Sequence, residues 1–105
     1  VTKSKKDDRF PNPETEIGKL IKRRRLQVLV HSCIYYELDD QIVEDCVFDD
    51  WAKELESLMK DYPNEYSDRF DYAFDEWDSS SGYDLPHRDP WIFSKANQLV
   101  SYERA

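Results

Sequence analysis

Two adjacent tyrosines, Tyr35 and Tyr36, precede a pair of aspartates, Asp45 and Asp49, with Phe48 between the two acids. An aromatic face beside a carboxylate suits a flat cationic ring, which the ring quadrupole and the carboxylate charge both attract. Asp45 and Asp49 are four apart, so on a helix they share one face and present both carboxylates to the same ligand. An anionic group on that ligand needs donors, and the preceding stretch offers Arg23, Arg24, Arg25 and His31, of which Arg24 and His31 are the phosphate candidates carried forward. Each residue also has a plain structural reading. The tyrosines can pack between helices with their hydroxyls in water, Asp45 can cap a helix, and Asp49 can pair with Lys53.

Other chemistries fit less well. Asp39, Asp40, Glu44, Asp45, Asp49 and Asp50 crowd one turn, but the spacing and glycine of a calcium loop are missing, so no metal is expected. Cys33 and Cys46, with His31 and His87 scattered around them, lack zinc-ligand spacing and make no disulfide framework. Both thiols are expected to be reduced, in a cytoplasmic protein. A catalytic Cys33–His31 pair is disfavoured because residues two apart on a helix point away from each other. The His87-Arg88 dipeptide is expected to be exposed.

The elements that must position these residues are helical. Residues 1–11 are charged and aperiodic and read as a flexible arm. Asn12 then reads as an N-cap with Pro13 in the first turn, opening a helix to about Leu38 with Ile17, Leu20 and Ile21 on an apolar stripe that Leu26, Leu29, Val30, Cys33 and Ile34 continue on a rotated face. A second helix is expected over 45–62, capped by Asp45, with Phe48, Trp51, Leu55, Leu58, Met59 and Tyr62 facing the core and Pro63 ending it. A third is expected over 67–78, capped by Ser67, and a fourth over 89–103, opened by Asp89-Pro90. The expected fold is all-α: one small bundle of about four helices over 12–105.

Composition agrees with that class. The 105 residues suffice for one core, and only two Gly and five Pro leave little room for a turn-rich β-sandwich. Hydrophobic residues make up 39% and aromatics 14%, so the aromatic rings, the three tryptophans among them, are expected to supply much of the core. No apolar run is long enough to span a bilayer. The net charge of −8 argues against general nucleic-acid binding. Charge is unevenly placed: residues 1–31 hold nine Lys/Arg against four Asp/Glu, net +5, and residues 32–105 hold six against nineteen, net −13.

One stretch resembles a known family. Tyr35, Asp39, Asp45, Asp49, Glu54, Leu55, Leu58 and Pro63 fall in register, without gaps, with the N-terminal helical subdomain of NAD-dependent DNA ligases, over about residues 20–63. The resemblance implies a module that holds the nicotinamide mononucleotide half of NAD. In the family this subdomain places the leaving group while a lysine of the neighbouring domain attacks the adenylyl phosphorus. Carried over, Tyr35 covers the nicotinamide ring, and Asp45 and Asp49 bond ribose hydroxyls or the carboxamide and offset the pyridinium charge. Tyr36 stands where many members have His, and Phe48 where they have Tyr, which removes one hydroxyl donor. These 105 residues hold no Lys-x-Asp-Gly adenylation motif and no room for the remaining ligase domains, so a complete ligase is not expected of them.

Three functions follow as expectations. The first is a stand-alone module for the nicotinamide mononucleotide moiety of NAD or a related nucleotide, completed by a protein partner or a second copy. The second is an acidic interaction or regulatory module on the same scaffold. The third, an enzyme acting on NAD, lacks a nucleophile with a base beside it.

Overall fold

The computed structural model describes residues 15–80 and 84–104. Four helices follow in order: α1 (Glu16–Tyr36), α2 (Asp45–Asp61), α3 (Asp71–Phe74) and α4 (Pro90–Arg104), with no strand among the described residues. The all-α expectation holds, and α1 packs against both α2 and α4. The arm over 1–11 and the Asn12–Pro13 start lie outside the described residues.

Helix α1 begins later than the sequence reading placed it. Thr15 is the cap, its hydroxyl accepting the Gly18 N–H at 2.9 Å. Because α1 is covered from two sides, its buried set runs around much of its girth: Ile21, Arg25, Val28, Leu29, Ser32 and Cys33 recur at helical spacing, with Val30 and Ile34 beside them. Two polar residues therefore occupy core-facing positions. At the far end Asp39 takes the left-handed conformation (φ 52°), which Asp tolerates better than most residues, and the Asp40 N–H donates back to the Ile34 carbonyl at 3.0 Å. This reversal sends the chain alongside the end of α1 toward α2.

Helix α2 spans nearly the expected range, but Asp45 is not its cap. Glu44 holds that position without a side-chain cap bond, and Asp45 is the first helical residue, accepting from the Gln41 side chain at 2.8 Å. Ala52 and Leu55 are fully buried, with Trp51, Leu58 and Met59 partly so, whereas Tyr62, expected on the same stripe, is exposed past the helix end. The α4 start matches its sequence signal: Asp89 Oδ1 accepts the Trp91 N–H at 2.9 Å and the Ile92 N–H at 3.3 Å.

The third helix is corrected most. A helix over 67–78 was expected, yet only Asp71–Phe74 is helical. Asp68 accepts the Phe70 N–H at 2.8 Å and Asp71 accepts the Asp68 N–H at 3.1 Å, so local side-chain bonds compete with the helical ladder. Both carboxylates also reach Arg25 of α1, at 2.8 and 2.7 Å. Beyond Phe74 the positive φ of Glu76 (62°) ends any continuation.

The core is more aliphatic than composition suggested. Among the described residues only Phe70 and Phe74 are buried aromatic rings of the Phe, Tyr and Trp type; Trp51 and Trp77 are half-buried and Trp91 is exposed. Ile, Val and Leu on α1 fill the space between helices because α1 is the strut that both neighbours need.

Candidate functional site

The end of α1, the 37–44 connection and the first turns of α2 enclose a cleft of about 190 Å³. From α1 it is lined by His31, Ser32, Ile34, Tyr35 and Tyr36, and from α2 by Asp45, Phe48 and Asp49. Gln41, Ile42 and Val43 close one side, and Ser79 and Ser80 another. Six of the seven residues singled out from sequence thus line one cleft. Arg24 is the exception. Its guanidinium lies on Glu54 at 2.5 Å and on Gln27 at 2.7 Å, and it does not line the cleft.

The aromatic wall has internal support. Tyr35 and Tyr36 meet edge to face, with centroids 4.9 Å apart. Tyr36 in turn stacks on His87 at 5.1 Å and 15°. His87 is buried, contrary to the exposure expected for His87-Arg88. Its carbonyl accepts the Cys33 thiol at 3.2 Å, and its Nδ1 lies 3.8 Å from the Glu37 carboxylate, which also takes the Arg88 Nε at 3.2 Å. The 84–90 segment is therefore a brace behind Tyr36. Burial, with the nearby Glu37 charge, pushes the Cys33 thiol up to about 11, so it stays protonated and unreactive.

The charge of the cleft is one-sided. Asp45 and Asp49 line it, and no Lys or Arg does among the described residues. His31 packs its ring on Trp51 at 5.1 Å, and burial holds its pKa below the ordinary value, so at neutral pH it offers hydrogen bonds without positive charge. Gln41 fixes the connection, its amide donating to the Val43 carbonyl at 2.9 Å as well as to Asp45. Ser32 is 1% exposed, and its hydroxyl has no hydrogen-bond partner although it belongs to the cleft wall.

Sequence reasoning missed Ser32, Gln41–Val43 and Ser79–Ser80. Ser32 had a readable signal, a polar residue on an apolar stripe. The loop serines had none, since only tertiary packing carries them to the cleft. Among the described residues, no group of three or more His, Cys, Asp or Glu side chains is placed to hold a metal ion, and no helix is long and apolar enough to cross a membrane. Compared with known proteins, the chain matches no family model, no curated sequence and no solved structure.

Proposed function

We propose that this chain is a binding module whose cleft takes the nicotinamide mononucleotide moiety of NAD or a related nucleotide, without ligase activity of its own. One observation supports the reading: Tyr35, Tyr36, Asp45, Phe48 and Asp49, singled out by the resemblance to the ligase subdomain, line a single cleft. An aromatic wall attracts a pyridinium face, and two carboxylates offset its charge. The volume of about 190 Å³ falls below the ~300 Å³ at which ordinary ligand pockets begin, as befits a half-site that a protein partner or second copy completes. Unpaired thiols and a nucleotide ligand suit a cytoplasmic setting.

The test is a two-dimensional amide NMR titration of the full chain with nicotinamide mononucleotide, NAD and AMP. Saturating shifts at Tyr35, Asp45 and Asp49 with the first two ligands, lost in Tyr35→Ala, are the expected result. No shifts at several millimolar would reject the reading and turn attention to the acidic surface as a protein-binding face.

A further inference from the structure

The cleft offers two carboxylates, three aromatic rings and one orphaned hydroxyl, and its charges match one half of a nicotinamide nucleotide better than the other. A 5′-phosphate needs cationic donors. No arginine of the described residues lines the cleft, and three are engaged elsewhere: Arg24 on Glu54, Arg88 on Glu37 and Arg104 on Asp40. His31, the remaining phosphate candidate, is held uncharged by its burial. A phosphate brought to this wall meets Asp45 and Asp49 with no described countercharge lining the cleft.

Ser32 supplies an independent observation. A serine inside a helix commonly bonds back to a carbonyl one turn earlier, yet this hydroxyl is buried and makes no such bond. Burying an unpaired hydroxyl is unfavourable, and a ligand group that both donates and accepts relieves it. A primary carboxamide is such a group.

Resting on the reading above, we propose that the cleft selects the cationic, phosphate-free nucleoside within the nicotinamide class. The pyridinium ring lies against Tyr35 and Phe48 with its charge toward Asp45 and Asp49, the carboxamide bonds the Ser32 hydroxyl, and the phosphate gains nothing. Nicotinamide riboside is then the better ligand of the free chain, and a partner that binds the mononucleotide in the same cleft must bring the cations.

The experiment titrates the full chain with nicotinamide riboside and nicotinamide mononucleotide, at low salt and at about 0.5 M salt, read by amide NMR. The riboside is expected to bind about tenfold more tightly at low salt, with the gap narrowing at high salt as the like-charge repulsion is screened. Asp49→Asn should close much of the gap by weakening the riboside, and Ser32→Ala should weaken it several-fold in a folded protein. Equal or tighter binding of the mononucleotide would overturn the charge selection and leave the nicotinamide reading standing. Absence of shifts with either ligand would remove both, and unchanged riboside affinity in Ser32→Ala would overturn the carboxamide contact.

Discussion

Two regions of this molecule assemble the same groups and differ in one. Two carboxylates (Asp68 and Asp71) and two rings (Tyr66 and Phe74) surround the guanidinium of Arg25, a residue only 6% exposed. The ring centroids lie 5.3 and 5.1 Å from it, and Met59 Sδ is 3.6 Å from its Nη2. In the cleft, Asp45 and Asp49 stand with Tyr35 and Phe48, and no arginine or lysine of the described chain enters. The chain answers its own acids with a cation where the fold must be held, tying the 63–74 segment to α1. In the cleft it leaves two acids and an aromatic wall without such a cation, which is the setting the proposed cationic ligand would share with Arg25. Burial, and then the hydrogen bond to Asp68, push the Tyr66 phenol of this node up to about 12.

Removing the internal cation is the strongest way to break the parallel. Arg25→Met leaves Asp68 and Asp71 without their partner and should cost about 3 kcal/mol, the lower end of the range for breaking a buried pair because Asp71 is partly in water. Urea denaturation should show a lower midpoint with an unchanged slope. Adding Asp68→Asn and Asp71→Asn should recover part of the loss; a single mutant within about 0.5 kcal/mol of the parent would show that the node anchors nothing.

The cleft should respond oppositely. Tyr35→Ala is expected to leave the melting temperature in place while reducing nicotinamide ligand affinity about fivefold, the scale of one cation–π contact of ~1 kcal/mol. A fall in both would mean that Tyr35 is a packing residue like Phe74, and the two regions would cease to differ in kind.

A cap outside both regions calibrates them. Asp89→Ala should cost about 1 kcal/mol by removing the acceptor of two α4 amides, measured by thermal or urea unfolding. No change would mean that water replaces the carboxylate.

Acid should weaken the anchored regions and spare the cleft's packing. The hydrogen bond from Arg69, aided by the Ile92 and Trp91 amides, brings Asp89 down to about 2 from an ordinary 3.8. Burial works to raise Asp71, but bonds from Ser67, Arg25 and the Asp68 amide outweigh it and hold this carboxyl below its ordinary value. A depressed folded pKa stabilises fully above the unfolded value and is lost as pH falls through the folded one. Stability should therefore decline from about pH 4 toward pH 2, and Asp89→Asn should flatten part of that slope in melts taken across the window. An unaltered slope would remove Asp89 as a contributor.

The smallest effect concerns the brace behind Tyr36. Under native conditions a thiol reagent should modify the exposed Cys46 and spare Cys33, whose buried thiol donates to the His87 carbonyl. Intact mass should show one adduct before unfolding and two after; rapid native modification of Cys33 would mean that the brace opens.

Much of the helical plan was legible because it depends on neighbours in sequence. The α2 stripe and the Asp89-Pro90 start are local signals, and both appear in the structure. The gathering of Tyr35, Asp45 and Asp49 was legible in part, since a short connection between two helices forces their ends together. The 67–78 stretch misled for a definite reason: its periodicity was real, but Asp68 and Asp71 bond their own backbone and a distant arginine instead of supporting a helix. His87 misled because a polar dipeptide in a connection reads as exposed, whereas a stacked tyrosine and the Cys33 thiol give it a buried place.

By itself, then, the sequence determined the helical class, the span of α2, the start of α4 and the chemical type of the residues at the end of α1, all of which follow from periodicity, capping and side-chain chemistry within a few turns. Tertiary structure alone decided that Arg25 becomes the buried anchor while the half-buried Arg24 binds Glu54, that Ser32 lies in the cleft wall without a hydrogen-bond partner, and that Ser79 and Ser80 complete the cleft. Adjacent residues of identical type were assigned opposite roles because a helix turns by about 100° per residue, and only the packing of its neighbours says which direction is the interior.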